Sequence, residues 1–428
     1  MIVSVTVIFF TFLVLGVPIG FTIGIAGLVG LFMALRDVAL LSMAPIRFFG
    51  GLDMFTLMAM PFFILAGEIM NRTGITGRLV TFANTLVGHW RGGLAHANIL
   101  TSVFFAGLTG AAVSDTAAVG TMLIPAMEKD GYDTDFAAAV TASSSIIGPT
   151  IPPSNMMVIY GSLMNVSIAG LFAAGFIPGF LLAGFLMILA AIISFRRGYP
   201  KLQRRTWKEK VIGLKDAIIP LLMPIIILGG ILSGVFTPTE AAAVAVAYAA
   251  VIGFFVLKSL NLRDLPEMLI KTAQITGVVF LIIGTASILS WVLSFDQVPQ
   301  RVAAGLLAVS SNPQIILLLI IFLMLVVGLF MDIAAALIIL GPILHPIAVS
   351  IGIEPIHFGI IMVLSLNIAL MTPPVGACLF VVCSITKLKL SQISKAIVPF
   401  IVVEFVALFV IAFSPRLVLF LPRLLGFL

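Results

Sequence analysis

The amino-acid sequence predicts an all-α, polytopic membrane protein with an inverted structural repeat, two helical hairpins and two interrupted helices. Three observations predict this fold class: the composition, the long uncharged runs, and a pattern of Asp, Gly and Pro residues that occurs twice. The chain is 61% hydrophobic and 9% charged, whereas soluble domains average about 45–50% apolar and about 25% charged residues. Such a composition is typical of a protein that is solvated largely by lipid.

Uncharged segments recur along the whole chain. A helix needs about 20 apolar residues to cross the roughly 30 Å hydrocarbon layer. A membrane barrel would show a series of short alternating strands instead, and the sequence contains no such pattern. The first run has no basic region before it and no evident cleavage site, so we expect a retained span, not a signal peptide. The runs are Met1–Leu35, Gly92–Ser114, Phe136–Phe195, Ala217–Thr239, Thr272–Phe295, Val302–Met331 and Pro355–Thr386.

Positive charge is concentrated in one segment near the middle of the chain. Residues 196–215 contain eight Lys and Arg residues and a single acid, Glu209. Basic loops between hydrophobic spans stay on the cytoplasmic side, so we expect this segment in the cytoplasm, beside anionic membrane lipids. The net charge of +6 therefore does not indicate nucleic-acid binding.

The usual signatures of enzymes are missing from the sequence. No lysine follows a glycine, which excludes a Walker A motif, and neither HExxH nor GxSxG occurs. Cys378 and Cys383 lie in one predicted span, which favours packing over a disulfide framework. We expect neither an enzymatic activity nor an organic cofactor.

An internal repeat follows from matching intervals in the two halves. "SDTAAVGTMLIP" (Ser114–Pro125) and "MDIAAALIILGP" (Met331–Pro342) each place Asp ten residues before Pro. Further on, a Gly precedes the first residue of a Pro-Pro pair by 21 residues in both halves, as Gly131 precedes Pro152 and Gly352 precedes Pro373. Chance rarely reproduces four such features in one order with matching intervals.

Each repeat predicts a hairpin followed by a broken helix. The hairpin tips fall near Gly107–Ser114 and Gly328–Asp332, and the breaks fall at "GPTIPP" and "MTPP", because proline removes an amide donor and clashes with the preceding turn. We divide the chain into 1–92 (first-half scaffold), 93–164 (first hairpin and broken helix), 165–310 (linking spans, the basic loop and second-half scaffold), 311–386 (second hairpin and broken helix) and 387–428 (C-terminal helix).

Two aspartates stand at the predicted hairpin tips. An Asp within a span costs about 2.5–3.5 kcal/mol on insertion scales, so Asp115 and Asp332 need a reason to be there. Either they cap the following half-helices, or they supply oxygens to a small, hard cation such as sodium. In the second case Asp115 would face the freed carbonyls of Gly148–Thr150, and Asp332 would face those of Met371–Pro373. Paired interrupted spans in corresponding halves indicate the ion and substrate sites of transporters.

Hydroxyl and amide side chains cluster around the first break. They would face a polar substrate at the membrane midplane, although helical Ser and Thr also bond to their own preceding carbonyls. The aligned positions of the second half lack them, which fits one substrate lying off the two-fold axis. The cluster comprises Ser143, Ser144, Ser145, Thr150, Ser154 and Asn155.

Other polar residues receive structural interpretations. "TPTE" (Thr237–Glu240) is a capping box, and Glu68 is spaced to pair with Arg72 on one helix. Glu404 lies alone in a span, where it would face a partner subunit. Arg47 is expected in a connecting stretch at an outer rim.

These motifs resemble a known family. "GLTGAAVSDTAAVGTMLIPAMEKDGYD" followed by "TASSSIIGPTIPPS", "FTPTEAAAVAVAYA" and "NIALMTPPVG" are similar to the large membrane subunit of tripartite ATP-independent periplasmic (TRAP) transporters along nearly the whole chain. The resemblance implies an elevator-type ion transporter fold in the bacterial inner membrane. It further implies a separate small membrane subunit and a periplasmic substrate-binding protein as partners.

The resemblance also implies particular ion ligands and substrates. Sodium would be the coupling ion and the only bound metal, and the solute would be acidic, of the sialic-acid or C4-dicarboxylate class; "VSD" resembles the sialic-acid branch. The first ion site would use Thr109, Asp115, Gly148 and Pro149, and the second Gly328, Asp332, Met371 and Pro373.

Several alternatives remain open from the sequence. The chain could be a stand-alone sodium- or proton-coupled dicarboxylate carrier that needs no binding protein, with Asp115 and Asp332 as proton carriers. The same two residues could form an aspartyl dyad of an intramembrane enzyme, although their placement at symmetric tips fits ion coordination better. A purely structural membrane subunit is the third alternative.

Overall fold

The chain folds into α-helices, many of them too short to cross a bilayer alone. The computed structural model describes residues 2–37, 39–201 and 203–428, without the side chains of Ile2, Ala39, Leu40, Leu108 and Thr109. The described residues are 81% helical and contain no strand. Six of their helices are long and apolar enough to span a membrane, or seven if the pair Met43–Leu52 and Phe55–Arg72, bent by 61°, forms one span. The predicted all-α polytopic class is confirmed.

The first half of the chain contains ten helices within the described residues. A long uninterrupted helix, α10, closes this half after a series of shorter ones. The helices are α1 (Ile2–Val14), α2 (Ile19–Leu35), α3 (Met43–Leu52), α4 (Ala59–Arg72), α5 (Ile75–Val87), α6 (Gly93–Thr109), α7 (Ala112–Lys129), α8 (Thr134–Ser144), α9 (Asn155–Met164) and α10 (Ile168–Arg197).

The second half repeats the order of hairpin, broken helix and long closing helix, and ends in two short turns of helix. Its helices are α11 (Trp207–Leu232), α12 (Pro238–Val251), α13 (Leu265–Phe295), α14 (Val298–Val309), α15 (Pro313–Gly328), α16 (Ile333–Ser350), α17 (Pro355–Ala369), α18 (Ala377–Thr386), α19 (Leu390–Phe413), α20 (Pro415–Val418) and α21 (Phe420–Leu424).

The two hairpins are α6–α7 and α15–α16, as the sequence predicts. Gly110 ends α6 with a φ of 59°, in the left-handed region that favours glycine. α15 ends at Gly328, and Asp332 caps the start of α16. The tips therefore lie where the repeat places them, but they are built with different local chemistry.

The two interrupted helices are α8–α9 and α17–α18. After α8 the chain makes a short 3₁₀ turn, Ser145–Ile147, and stays irregular until Ser154 caps α9 by accepting a hydrogen bond from the Met157 amide. In the second half the chain leaves helical geometry between Ala369 and Ala377. Both Pro-Pro peptide bonds within the breaks are cis.

The two repeats interlock at their hairpins and broken helices. α7, the second arm of the first hairpin, packs against α18, the second piece of the other broken helix. α16 packs in the same way against α9. Around this core, α13 packs against α2, α3, α4 and α16, and α12 packs against α4 and α11. The hairpins and breaks thus form one packed body beside a layer of scaffold helices.

The basic segment 196–215 is only partly a loop. Arg196 and Arg197 form the last turn of α10, and α11 begins at Trp207, so the connection is confined to residues 198–206. The expectation of one loop over 196–215 was wrong, because Thr206 and Glu209 form a capping box that starts α11 early. The other proposed segment limits fall between helices.

Two expectations about surface acids differ in outcome. Thr237 and Glu240 form the predicted capping box at the start of α12. Glu68, however, accepts a hydrogen bond from Lys271 at 2.8 Å, and Arg72 pairs with Asp264 and Glu267 instead. The predicted pair within α4 was wrong, because α13 lies alongside α4 and offers partners that sequence spacing does not reveal.

Candidate functional site

Asp115 lies against the break in the first interrupted helix. It is fully buried in the first turn of α7, and a Cβ built on Gly148 would collide with its carboxylate. The residue that caps α7 is Ala111, not Asp115. Capping therefore does not account for this aspartate, and of the predicted segment Gly148–Thr150 it is Gly148 that the structure places beside Asp115.

The same break leaves backbone oxygens without amide partners. Amides of Gly148, Thr150 and Ile151 turn back to Ser145 and Ile147. Among the described residues no backbone amide donates to the carbonyls of Gly148 or Pro149. Non-helical backbone at membrane depth is tolerated where it is buried in protein or lines a cavity. A buried carboxylate beside such oxygens is a donor set that suits a hard cation.

The tip of the first hairpin closes over this break. A Cβ on Gly110 would lie 2.9 Å from the Pro153 carbonyl oxygen, so only glycine allows the tip to approach so closely. Thr109 is the last residue of α6, and its side chain lies outside the described part of the chain. The structure thus brings Asp115, Gly148 and the hairpin tip together.

The second predicted ion site is assembled differently. Asp332 is exposed and caps α16 by accepting a hydrogen bond from the Ala334 amide at 2.9 Å. Among the described residues its carboxylate forms no hydrogen bond with Met371 or Pro373. The capping alternative therefore describes Asp332 in this structure, and Asp332 fits a cation less well than Asp115 does.

Gly328 approaches the second break more closely than Asp332. A Cβ on Gly328 would lie 2.6 Å from the Ala369 Cβ, two residues before Met371. Met371 is buried, whereas Pro373 is half-buried. The end of α15 therefore contacts the end of α17, and the repeat is preserved in its backbone but not in the burial of its acid.

The hydroxyls of the predicted substrate cluster are buried and bonded locally. Ser143 donates to the Val140 carbonyl at 3.0 Å, Ser145 to Thr141 at 2.7 Å and Thr150 to Ile146 at 2.8 Å. Ser154 is occupied in capping α9, and Asn155, which follows it, is buried. In this structure these hydroxyls therefore follow the second alternative, in which helical Ser and Thr bond to carbonyls of their own helix.

Ser144 belongs to a polar network that the sequence did not predict. Its hydroxyl donates to the Asn98 side-chain oxygen at 3.2 Å and accepts from Ser102 at 3.0 Å. Asn98 in turn donates to the Thr141 hydroxyl at 2.7 Å. This network joins α6 to α8 inside the core, and the signal for it was the polar trio of Asn98, Thr101 and Ser102 in an apolar run.

Two further polar side chains, in α17 and α19, are fully buried. Asn367 in α17 is fully buried, and its amide has no hydrogen-bond partner within the described residues. Glu404 in α19 is also fully buried, and both of its oxygens lack such a partner. The expectation that Glu404 faces a partner subunit was wrong, because α8, α17 and α18 pack around α19 within this chain.

α18 lies between the first hairpin and α19. It packs against α7 and α19, and its Cys378 is buried. Within α7, Thr116 donates to the Ala112 carbonyl at 2.8 Å. α18 therefore joins the first hairpin to α19 at the place where the repeats interlock.

An ion-pair cluster holds the start of the first broken helix. Tyr199 donates to Asp133 at 2.6 Å, and Arg197 bridges Asp133 and Asp135 at 2.8 and 3.1 Å. The Tyr199 hydroxyl, followed by the Arg197 guanidinium, lowers the pKa of Asp133 below its ordinary value. The cluster fixes α8 to the end of α10.

Comparison with known proteins identifies the family. Residues 6–417 match the family described as "Tripartite ATP-independent periplasmic transporter, DctM component". The chain is 41% identical over 409 residues to the sialic acid TRAP transporter large permease protein SiaM of Vibrio cholerae, covering 96% of this chain and 95% of that protein. It is 39% identical to the C4-dicarboxylate TRAP transporter large permease protein DctM of Pseudomonas aeruginosa, covering 89% of each.

The fold has relatives among solved structures. The Alcanivorax borkumensis YdaH transporter superposes with a TM-score of 0.62 at 15% identity, covering 92% of this chain and 90% of that chain. At this identity the likeness concerns the fold alone. Together with the family match, the buried acid beside a broken helix and the multi-pass architecture, it leads to one conclusion: the chain belongs to the DctM component family of tripartite ATP-independent periplasmic transporters.

Proposed function

We propose that this chain is the large permease of a sodium-coupled uptake system for an acidic organic solute of the sialic-acid or C4-dicarboxylate class. The relatives named for sialic acid and for C4-dicarboxylates support the solute class. The observation that carries the proposal is the burial of the Asp115 carboxylate against Gly148 in the broken helix. Ionisable residues buried inside membrane proteins are rare and mark ion or substrate sites.

Sodium is the ion bound at this site in the proposed mechanism. Asp115 provides a carboxylate oxygen, and the first break provides carbonyl oxygens of Gly148 and Pro149. The second site would use the corresponding backbone with Asp332, which must then turn inward from its capping position. The full proposed set is Thr109, Asp115, Gly148, Pro149, Gly328, Asp332, Met371 and Pro373.

The solute would bind beside the first break. The cluster Ser143, Ser144, Ser145, Thr150, Ser154 and Asn155 remains our proposal for its polar contacts. Since the Ser143, Ser145 and Thr150 hydroxyls now bond to backbone carbonyls, recognition requires local rearrangement of the break. Ion binding at the neighbouring carbonyls would drive that rearrangement.

An elevator mechanism accounts for alternating access. The interlocked body of α6–α9 and α15–α18 would move as a unit against the scaffold of α2–α5 and α11–α13, carrying ions and solute together. The contacts of α7 with α18 and of α16 with α9 support the motion of this body as one unit. Such motion keeps both breaks covered by their hairpins throughout.

The proposed partners follow from the family. A small membrane subunit would cover exposed apolar scaffold surface, and a periplasmic binding protein would deliver the solute to the bacterial inner membrane. The basic residues at the ends of α10 and α11 would contact anionic lipids on the cytoplasmic side.

The proposal is tested by uptake into proteoliposomes that contain the chain and its small subunit, with the binding protein added. Uptake is expected to collapse when the sodium gradient is replaced by potassium at constant membrane potential. Uptake that survives this replacement but follows a pH gradient would establish proton coupling instead. Equal uptake without the binding protein would favour a stand-alone carrier.

A further inference from the structure

A cavity separates the scaffold from the interlocked body. It has a volume of about 540 Å³ and lies between α3 and α13 on one side and α9 and α16 on the other. Ligand pockets for small molecules span about 300–1,000 Å³. The cavity is therefore large enough for an organic acid, and it is distinct from the hydroxyl cluster and the two breaks.

Arg47 contributes a positive charge to this cavity. Arg47 stands over the Trp291 ring, with its guanidinium carbon 5.5 Å from the ring centroid. Among the described residues, no Asp or Glu lines the cavity and no carboxylate forms an ion pair with Arg47. Arg47 lies in α3 rather than in a connecting stretch, so the sequence-based expectation for it was wrong.

Hydroxyl groups line the cavity along α13, on the same side as Arg47. Ser287, Ser290 and Ser294 recur at helical spacing and all line the cavity. Ser287 donates to the Ile283 carbonyl at 2.9 Å. The side-chain hydroxyls of Ser290 and Ser294 form no hydrogen bond within the described part of the chain, so both are available as donors.

The cavity lies at the end of the molecule opposite the basic segment. Leu163, one of its lining residues, comes just before the start of α10. α10 then runs 30 residues to Arg197, which corresponds to about 45 Å at 1.5 Å per residue. With the basic segment in the cytoplasm, the cavity opens toward the periplasm.

We propose that this cavity is the receiving site for the carboxylate of the delivered solute, bound by the Arg47 guanidinium and by the Ser290 and Ser294 hydroxyls. The inference rests on the proposed uptake of acidic solutes. Arginine binds carboxylates through two parallel hydrogen bonds, and the Trp291 ring holds the guanidinium in place from behind. The site would hold the solute between its release from the binding protein and its transfer to the first break.

The test compares variants within the reconstituted complex of this chain and its small subunit. Arg47→Gln is expected to raise the KM for solute by about tenfold or more, since hydrogen bonds to a charged group contribute about 1.5–3 kcal/mol. Arg47→Lys should restore part of the affinity, because it keeps the charge but loses the paired geometry. Arg263→Gln, which removes an exposed charge near the start of α13, serves as the matched control.

A binding measurement separates this role from docking of the binding protein. Without binding protein, N-acetylneuraminate or succinate should raise the melting temperature of the wild-type complex and of Arg263→Gln, but not of Arg47→Gln. Equal stabilisation of Arg47→Gln, or a KM within about twofold of wild type, would overturn the receiving site. Absence of solute uptake by the wild type would instead refute the proposed function itself.

Discussion

At the level of single residues, the contact between Asp115 and Gly148 is the most constrained feature of the site. The carboxylate occupies the space where a β-carbon of residue 148 would stand. Only glycine therefore lets a buried acid approach the freed carbonyls of the break. The ion-binding proposal depends on this approach.

Gly148→Ala is expected to abolish sodium-driven uptake and to destabilise the fold by about 1–3 kcal/mol, because an added methyl group overpacks the core. Sodium-dependent thermal shift and uptake measure the two effects. Gly184→Ala in α10 is the matched control, since nothing lies within 4 Å of its Cβ position. If sodium raises the melting temperature of Gly148→Ala as much as that of the wild type, Asp115 and the first break do not bind the ion.

Glu404→Gln should leave the melting temperature unchanged or raise it. Neither carboxylate oxygen of Glu404 has a hydrogen-bond partner among the described residues. The site therefore does not stabilise a negative charge, and glutamine keeps the shape of the side chain without that charge. Glu404→Ala should lower the melting temperature because it leaves a cavity. A large loss of stability in Glu404→Gln would reveal a bound cation or another unrecognised partner.

At the level of helices, the cap of α16 distinguishes two roles of Asp332. Asp332→Asn keeps a side-chain oxygen for the Ala334 amide, whereas Asp332→Ala loses the cap at a cost of about 1 kcal/mol. If Asp332 also binds sodium, both variants lose sodium dependence, but only the alanine variant melts earlier. Sodium-induced stabilisation that persists in Asp332→Asn would leave this residue with the capping role alone.

The junction between α8 and α10 makes stability depend on pH. The Tyr199 hydroxyl is the main group that holds the pKa of Asp133 below its ordinary value of 3.8. A depressed carboxyl pKa stabilises the fold above that ordinary value, and the stabilisation disappears as pH falls through the folded-state pKa. Tyr199→Phe should therefore lower the melting temperature at pH 7, and the difference from wild type should shrink in acid. A constant difference would show that Tyr199 acts through packing.

Sequence reasoning located these helices better than it located their contacts. Prolines and glycines predicted both hairpins and both breaks, because their backbone restrictions act locally. The start of α7 at Ala112 was not predicted, since Ala111 carries none of the usual capping side chains. The roles of Ser143 and Thr150 could not be predicted, because the local sequence does not tell whether a helical hydroxyl binds a substrate or its own backbone carbonyl.

At the level of the whole molecule, a hydrogen bond joins the scaffold to the interlocked body at Thr56. Its hydroxyl lies 2.7 Å from that of Ser162 in α9. An elevator displacement must break this contact.

The pairing of distant elements could not be predicted from the chain, because spacing in sequence does not determine which helices meet.

Thr56→Cys combined with Ser162→Cys, with Cys378 and Cys383 replaced by alanine, is expected to form a disulfide that stops uptake. Reduction should restore transport. The two single cysteine variants, oxidised in the same way, control for the substitutions. Full uptake by the cross-linked protein would exclude rigid-body motion of α9 against this part of the scaffold.

The interlocking of α7 with α18 has a consequence for biogenesis. α7 ends at Lys129, whereas α18 begins only at Ala377, so the ribosome completes the first hairpin long before its packing partner leaves the exit tunnel. Until then the face of α7 that packs against α18, which includes Gly120 near Ile385, has no native cover in the bilayer. A nascent chain that stops before α18 would thus leave this helix face open, and membrane quality-control proteases should degrade it.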